Sequence, residues 1–141
     1  MDIRTDIEKW FPNIKGKRFK ITKSDEKFNC VSFSLDIYDK WIWTNEDWPY
    51  ENIPRNSGIN GFIKLYNRYG YIECDSDSYE NGYDKIAFYA KDNIPKHACK
   101  QFENVWKSKI DLYIVEHELD WLCGNGEREY GDIVFIMKRK I

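Results

Sequence analysis

Lys96-His97-Ala98-Cys99-Lys100-Gln101-Phe102-Glu103-Asn104-Val105-Trp106-Lys107-Ser108-Lys109 reads as two strands joined by a tight turn. With Glu103-Asn104 as the turn, Phe102 pairs with Val105, Cys99 with Ser108 and His97 with Ile110. Side chains alternate between faces along a strand, so His97, Cys99 and Gln101 share one face and Ser108 meets them from the partner. A slip of one residue would turn Ser108 away and bring Lys107 or Lys109 inward. This hairpin sets the expected fold, because it commits the second half of the chain to antiparallel pairing.

The rest of the chain fits around it. Tyr71-Ile72-Glu73-Cys74, Lys85 to Ala90 and Ile133 to Lys138 read as further extended segments, and Arg18 to Thr22 alternates enough to be another. Ile59, Phe62, Ile63 and Tyr66 fall at i, i+3, i+4 and i+7, which predicts a helix over 58–69 between Ser57 and Gly70. Asp6 to Phe11 reads as a short N-terminal helix stopped by Pro12-Asn13. Leu112 to Leu122 fits a loop followed by a short helix near Gly124. Asn125-Gly126 and Tyr130-Gly131 punctuate the run into the last strand. The expected fold is α+β: one domain, with residues 1–17 a helical extension and 18–141 the core. Its antiparallel sheet has four to six short strands, and two or three helices lie on one face.

Composition bounds the function classes. At 141 residues the chain supplies one core. Net charge is −2, from 22 basic and 24 acidic side chains, which argues against nucleic-acid binding. The basic Lys138-Arg139-Lys140 reads as a solvated strand end, and Glu73, Asp75, Asp77, Glu80 and Asp84 as a solvated turn whose spacing fits a calcium loop poorly. There is no apolar leader and no run of the ~20 apolar residues a membrane helix needs. The expectation is a cytoplasmic chain with no membrane association. Cysteines 30, 74, 99 and 123 follow no zinc spacing and read as free thiols. Neither a metal nor a cofactor is expected.

Asn29-Cys30-Val31-Ser32-Phe33-Ser34 is the sharpest chemical lead. If Asn29 caps a helix starting at Cys30, the thiol lies among unpaired backbone N–H groups, which favour thiolate and can hold an oxyanion. The alternative is a small buried core cysteine. His97 would supply the base, with Ser108 or Gln101 fixing its orientation; the alternative is a surface histidine just after Pro95. His117, between Glu116 and Glu118, reads as a structural hydrogen-bonding residue. Trp41, Trp43 and Trp48, with Pro49 and Tyr50, either wall a cleft beside Cys30, anchor a protein interface, or cover an edge of the core.

Asn29-Cys30, Trp41-Ile42-Trp43, Trp48-Pro49, Lys85 to Tyr89, His97-Ala98, Gln101, Trp106-Lys107-Ser108-Lys109, Glu116-His117 and Tyr130-Gly131 occur in an order that resembles a group of small uncharacterised bacterial proteins. The resemblance spans about residues 18 to 138. The chain departs from that pattern at Ser32 and Ser34, where alanines are expected. It departs again at Leu35-Asp36 in place of Gly-Asp, and at Ile110-Asp111 in place of Leu-Gly. The cysteine-then-histidine layout is similar to NlpC/P60 and papain-like cysteine hydrolases. That likeness implies a papain-like arrangement and a hydrolase or transferase acting on an amide bond of a peptide-like substrate (peptide, isopeptide or peptidoglycan). Cys30 would be the nucleophile, His97 the base, Ser108 or Gln101 the orienting group, and Asn29 with nearby amides the oxyanion side. The alternative expectation is a non-catalytic module, immunity-like or adaptor, that binds a protein partner through its aromatic and acidic surface.

Overall fold

A computed structural model of the chain describes residues 3–48 and 51–141. Pro49 and Tyr50, part of the aromatic stretch, lie outside the described residues. The elements are α1 (Ile3–Trp10), β1 (Ile21–Lys23), α2 (Cys30–Ser34), α3 (Gly58–Arg68), β2 (Ile72–Cys74), β3 (Tyr83–Lys91), β4 (Ile94–Phe102), β5 (Val105–Ile110), β6 (Tyr113–His117) and β7 (Asp132–Lys140). Short 3-10 turns at Pro12–Ile14 and Leu119–Leu122 complete the chain.

Seven strands, counted among the described residues, form one open sheet in the order β1-β6-β5-β4-β3-β7-β2. Every pair is antiparallel. The sheet is larger than expected because the segment read as a loop before a short helix contains β6. Asp111-Leu112 turns the chain, with Asp111 at a φ of 51°, and Tyr113 to His117 pairs back on β5. The hairpin register is as counted from the Glu103-Asn104 turn: Phe102 opposes Val105, Gln101 opposes Trp106 and Lys100 opposes Lys107.

Helices cover both faces of the sheet, not one. Along β3, Ile86 and Phe88 join the core under α2 and α3, while Ala87 and Tyr89 join a second core under α1 and the two 3-10 turns. A strand buried on both faces reads as an unbroken apolar run, as Ile86 to Ala90 does. The helix α3 buries Phe62, Leu65 and Tyr66. Phe62 meets Phe88 with ring centroids 4.8 Å apart, and burying it contributes about 2 kcal/mol. Gly70 ends this helix with a φ of +92°, which a side chain would strain.

The acidic stretch and the basic end are not independent solvated segments. Lys138 Nζ lies 3.1 Å from Glu80, and Arg139 lies 3.2 Å from Asp84. All four cysteines are free. No helix among the described residues is long and apolar enough to cross a membrane.

Candidate active site

The pairing of β4 with β5 is the local feature that builds the site. It covers only Lys100–Phe102 against Val105–Lys107, although β4 extends back to Ile94 and β5 forward to Ile110. The rest of β4 stays paired with β3, and Ser108–Ile110 with β6. The sheet therefore splays between β4 and β5, and α2 sits at the opening. Counting two positions back from Lys100 and Lys107, a continued ladder would set Ala98 against Lys109. Instead the Ala98 amide acts on Cys30, where it favours the thiolate form.

Asn29 makes this placement rigid. Its backbone is extended, and its Oδ1 accepts from the Ser32 amide at 3.0 Å and from the Ser32 hydroxyl at 2.8 Å. Its Nδ2 donates to the Ile42 carbonyl at 2.9 Å. The side chain caps α2 and ties it to the following loop, so Asn29 orients the first turn through its cap while it also lines the cleft. Ser32 and Ser34, the departures from the small-residue pattern, also have buried partners. Ser32 Oγ lies 2.6 Å from the Lys40 carbonyl, which shares its one proton with Asn29 Oδ1, and Ser34 Oγ bonds the Tyr66 hydroxyl at 2.6 Å.

Cys30 and His97 line one cleft of about 330 Å³, together with Trp41, Trp43, Lys109 and Tyr130. No hydrogen bond joins Cys30 Sγ to the His97 ring among the described residues. His97 is buried, and its ring stacks on Tyr130 with centroids 4.1 Å apart and planes 7° from parallel. Its Nε2 lies 2.8 Å from Ser108 Oγ, which in turn lies 2.6 Å from His117 Nε2. His117 Nδ1 lies 2.9 Å from the Glu118 carbonyl.

The electrostatics differ from the expectation of a stabilised thiolate. Burial pushes the Cys30 thiol up to about 11, against the lowering effect of the Ala98, Val31 and Cys30 amides and of Lys109. A helix of five residues has too little dipole to offset that desolvation. Burial also holds His97 well below the usual imidazole range, with His117 adding to the effect. His117 is lowered to about 4, again chiefly by burial. At neutral pH the site is a thiol beside two neutral imidazoles.

Two expected positions lie elsewhere. Gln101 does not reach His97: its Nε2 donates to the Asp77 carbonyl at 2.8 Å, while Oε1 is buried and has no partner among the described residues. Period-two alternation puts it on the same face as His97, but four residues along the strand. Trp48 is core rather than cleft, 7% exposed, with Nε1 on the Ile53 carbonyl at 2.7 Å and its ring edge-on to Phe62. Trp41 stands at the cleft 45% exposed, held by Nε1 on the Glu26 carbonyl at 2.6 Å. Trp43 backs onto Phe62. Lys109 and Tyr130 line the cleft without having been expected there, and His117, expected as a structural hydrogen-bonding residue, bonds Ser108 behind it.

The chain belongs to the family described as a domain of unknown function (DUF7689), which matches residues 20–138. No curated protein and no solved structure matches it.

Proposed function

We propose that this member of the DUF7689 family is a papain-like cysteine hydrolase or transferase acting on an amide bond of a peptide-like substrate. Cys30 is the nucleophile, His97 the base and Ser108 the group that orients His97. The observation that carries this reading is the shared cleft. A cysteine at the first turn of a capped helix and a strand histidine open onto the same aromatic-walled space, with the far nitrogen of the histidine anchored.

Because both groups rest neutral, proton transfer accompanies attack instead of preceding it. As the sulfur bonds to the carbonyl carbon, the thiol proton passes to His97 Nδ1. The Cys30 and Val31 amides, at the first turn of α2, take the oxyanion. Collapse of the tetrahedral intermediate expels the amine with the proton from His97, leaving a thioester on Cys30. Water, or an acceptor amine, then attacks the thioester carbonyl as it gives a proton to His97; collapse breaks the C–S bond, releases the acyl group as acid or amide, and returns the proton from His97 to the Cys30 sulfur. Trp41 and Trp43 present flat apolar walls for the acyl side.

Acylation tests this reading. The protein is treated with p-nitrophenyl acetate and with a short peptide thioester, and acyl-cysteine is mapped by mass spectrometry. The expected result is an adduct on Cys30 that is lost in a folded His97→Ala variant. Acylation of Cys30 no faster than that of Cys74, the half-buried thiol on β2, would overturn it. That outcome would favour the non-catalytic module. The resting state, with a raised thiol and no direct bond to the imidazole, agrees with that second reading.

A further inference from the structure

We propose that His117 is the positioning residue that decides which nitrogen of His97 carries the proton, acting through Ser108. The proposal rests on Cys30 and His97 being the reacting pair.

The direction of the chain follows from its fixed end. The Glu118 carbonyl only accepts, so His117 Nδ1 carries a proton and donates to it at 2.9 Å. A neutral His117 then presents a lone pair at Nε2. Ser108 has one hydroxyl proton and gives it to that nitrogen at 2.6 Å. The Ser108 oxygen is left to accept, and it accepts the Nε2 proton of His97 at 2.8 Å. His97 is thereby held with Nε2 protonated and Nδ1 bare, which is the form a general base needs if Nδ1 is to take the thiol proton.

Reversing the chain requires a second proton on His117. Its ring is buried, and Arg4, Lys17, Arg18 and Lys20 line the groove on its outer side, together with Glu116 and Glu118. Desolvation opposes the cation there. The stack on Tyr130 fixes the plane of the His97 ring, so the chain has only the tautomer left to set.

The fold explains why one carbonyl reaches so far. On β5 and β6, Ser108 opposes Val115 and Trp106 opposes His117. Ser108 and His117 are thus diagonal neighbours on one face, within side-chain reach. His97 meets Ser108 from the other side, where β4 leaves β5. Three strands each contribute one member.

Long-range proton–nitrogen NMR of the folded chain reads the tautomers directly, with no substrate. The expected wild-type pattern is a bare Nδ1 and protonated Nε2 on His97, and the reverse on His117. His117→Met removes the acceptor and is expected to mix the His97 tautomers and slow Cys30 acylation by about tenfold, the equivalent of one hydrogen bond. His117→Gln keeps an acceptor near the Nε2 position and is expected to restore both. A protonated Nδ1 on His97 in the wild type would overturn the proposal, as would an unchanged tautomer in a folded His117→Met. If the methionine variant does not fold, the wild-type spectrum alone decides. A correct tautomer with an unreactive Cys30 would count against the hydrolase reading and leave the positioning chain standing.

Discussion

Acidification between pH 7 and 5 is expected to weaken the fold through its two buried histidines, before any carboxylate contributes. His117 is lowered to about 4 and His97 is well below its ordinary range, both chiefly by desolvation. In the unfolded chain each returns to ~6.5. The unfolded state therefore binds protons that the folded state refuses. Stability is full above ~6.5 and falls as pH drops toward the folded values. From pH 7 to 5 His117 costs about 2 kcal/mol out of a total of ~5–15, and His97 adds a loss of the same sign. Glu80, lowered by its bonds to Lys85 and Lys138, adds its loss only below the ordinary carboxylate range. The pH 7–5 window thus isolates the imidazoles. Urea unfolding followed by tryptophan fluorescence at pH 7, 6 and 5 measures the loss, and histidine ring-proton NMR of the folded protein should show neither ring titrating. A urea midpoint that stays constant from pH 7 to 5, or rises, would refute the picture of two neutral buried imidazoles.

Three further outcomes follow from the geometry. With its thiol pushed up to about 11, Cys30 should react with iodoacetamide at pH 7 roughly a hundredfold more slowly than a free cysteine, with its rate still climbing above pH 9; rate against pH by mass spectrometry checks this. Asn29→Ala removes the cap of α2 and its bonds to Ile42, and is expected to cost about 2–3 kcal/mol in urea unfolding. Gly131→Ala should be at least as damaging, since φ is +81° and a Cβ would stand 2.2 Å from the Ala90 carbonyl oxygen; a change under about 1 kcal/mol would contradict that packing.

The hairpin from β4 to β5 was legible because a two-residue turn fixes one register, and the structure keeps it from Phe102–Val105 to Lys100–Lys107; the expected pairs Cys99–Ser108 and His97–Ile110 are lost where the strands part. Asn29 and Cys30 were legible for the same local reason, a cap residue before a short apolar run. The next strand was harder to read. Tyr113, Ile114 and Glu116 are half-buried, so β6 lacks clean alternation, and Glu116 and Glu118 make His117 resemble a solvated residue. The missing signal was the Asp111-Leu112 turn. Once it is placed, Ile110 opposes Tyr113, and counting back puts His117 beside Ser108. Lys109 was hidden differently: no register predicts that two strands part, so a residue assigned to the outer side came to line the cleft.

That parting connects the fold to the chemistry. Carrying the β4–β5 ladder past Lys100 would add backbone bonds worth ~1 kcal/mol each, and the chain forgoes them. What replaces them is the first turn of α2, with Cys30 packed at the opening and Val31, Leu35 and Ile42 in the core behind it. A sheet closed at Ala98 and Lys109 would separate the face carrying Cys30 from the face carrying His97, Ser108 and His117. The opening lets a sulfur on one face and an imidazole on the other address the same cleft. It also explains why both rest neutral: each is seated in an interior that the gap only partly opens. In the proposed hydrolase, a substrate entering between Trp41 and Tyr130 would stand between the thiol and the imidazole it needs, in the one cleft that both line.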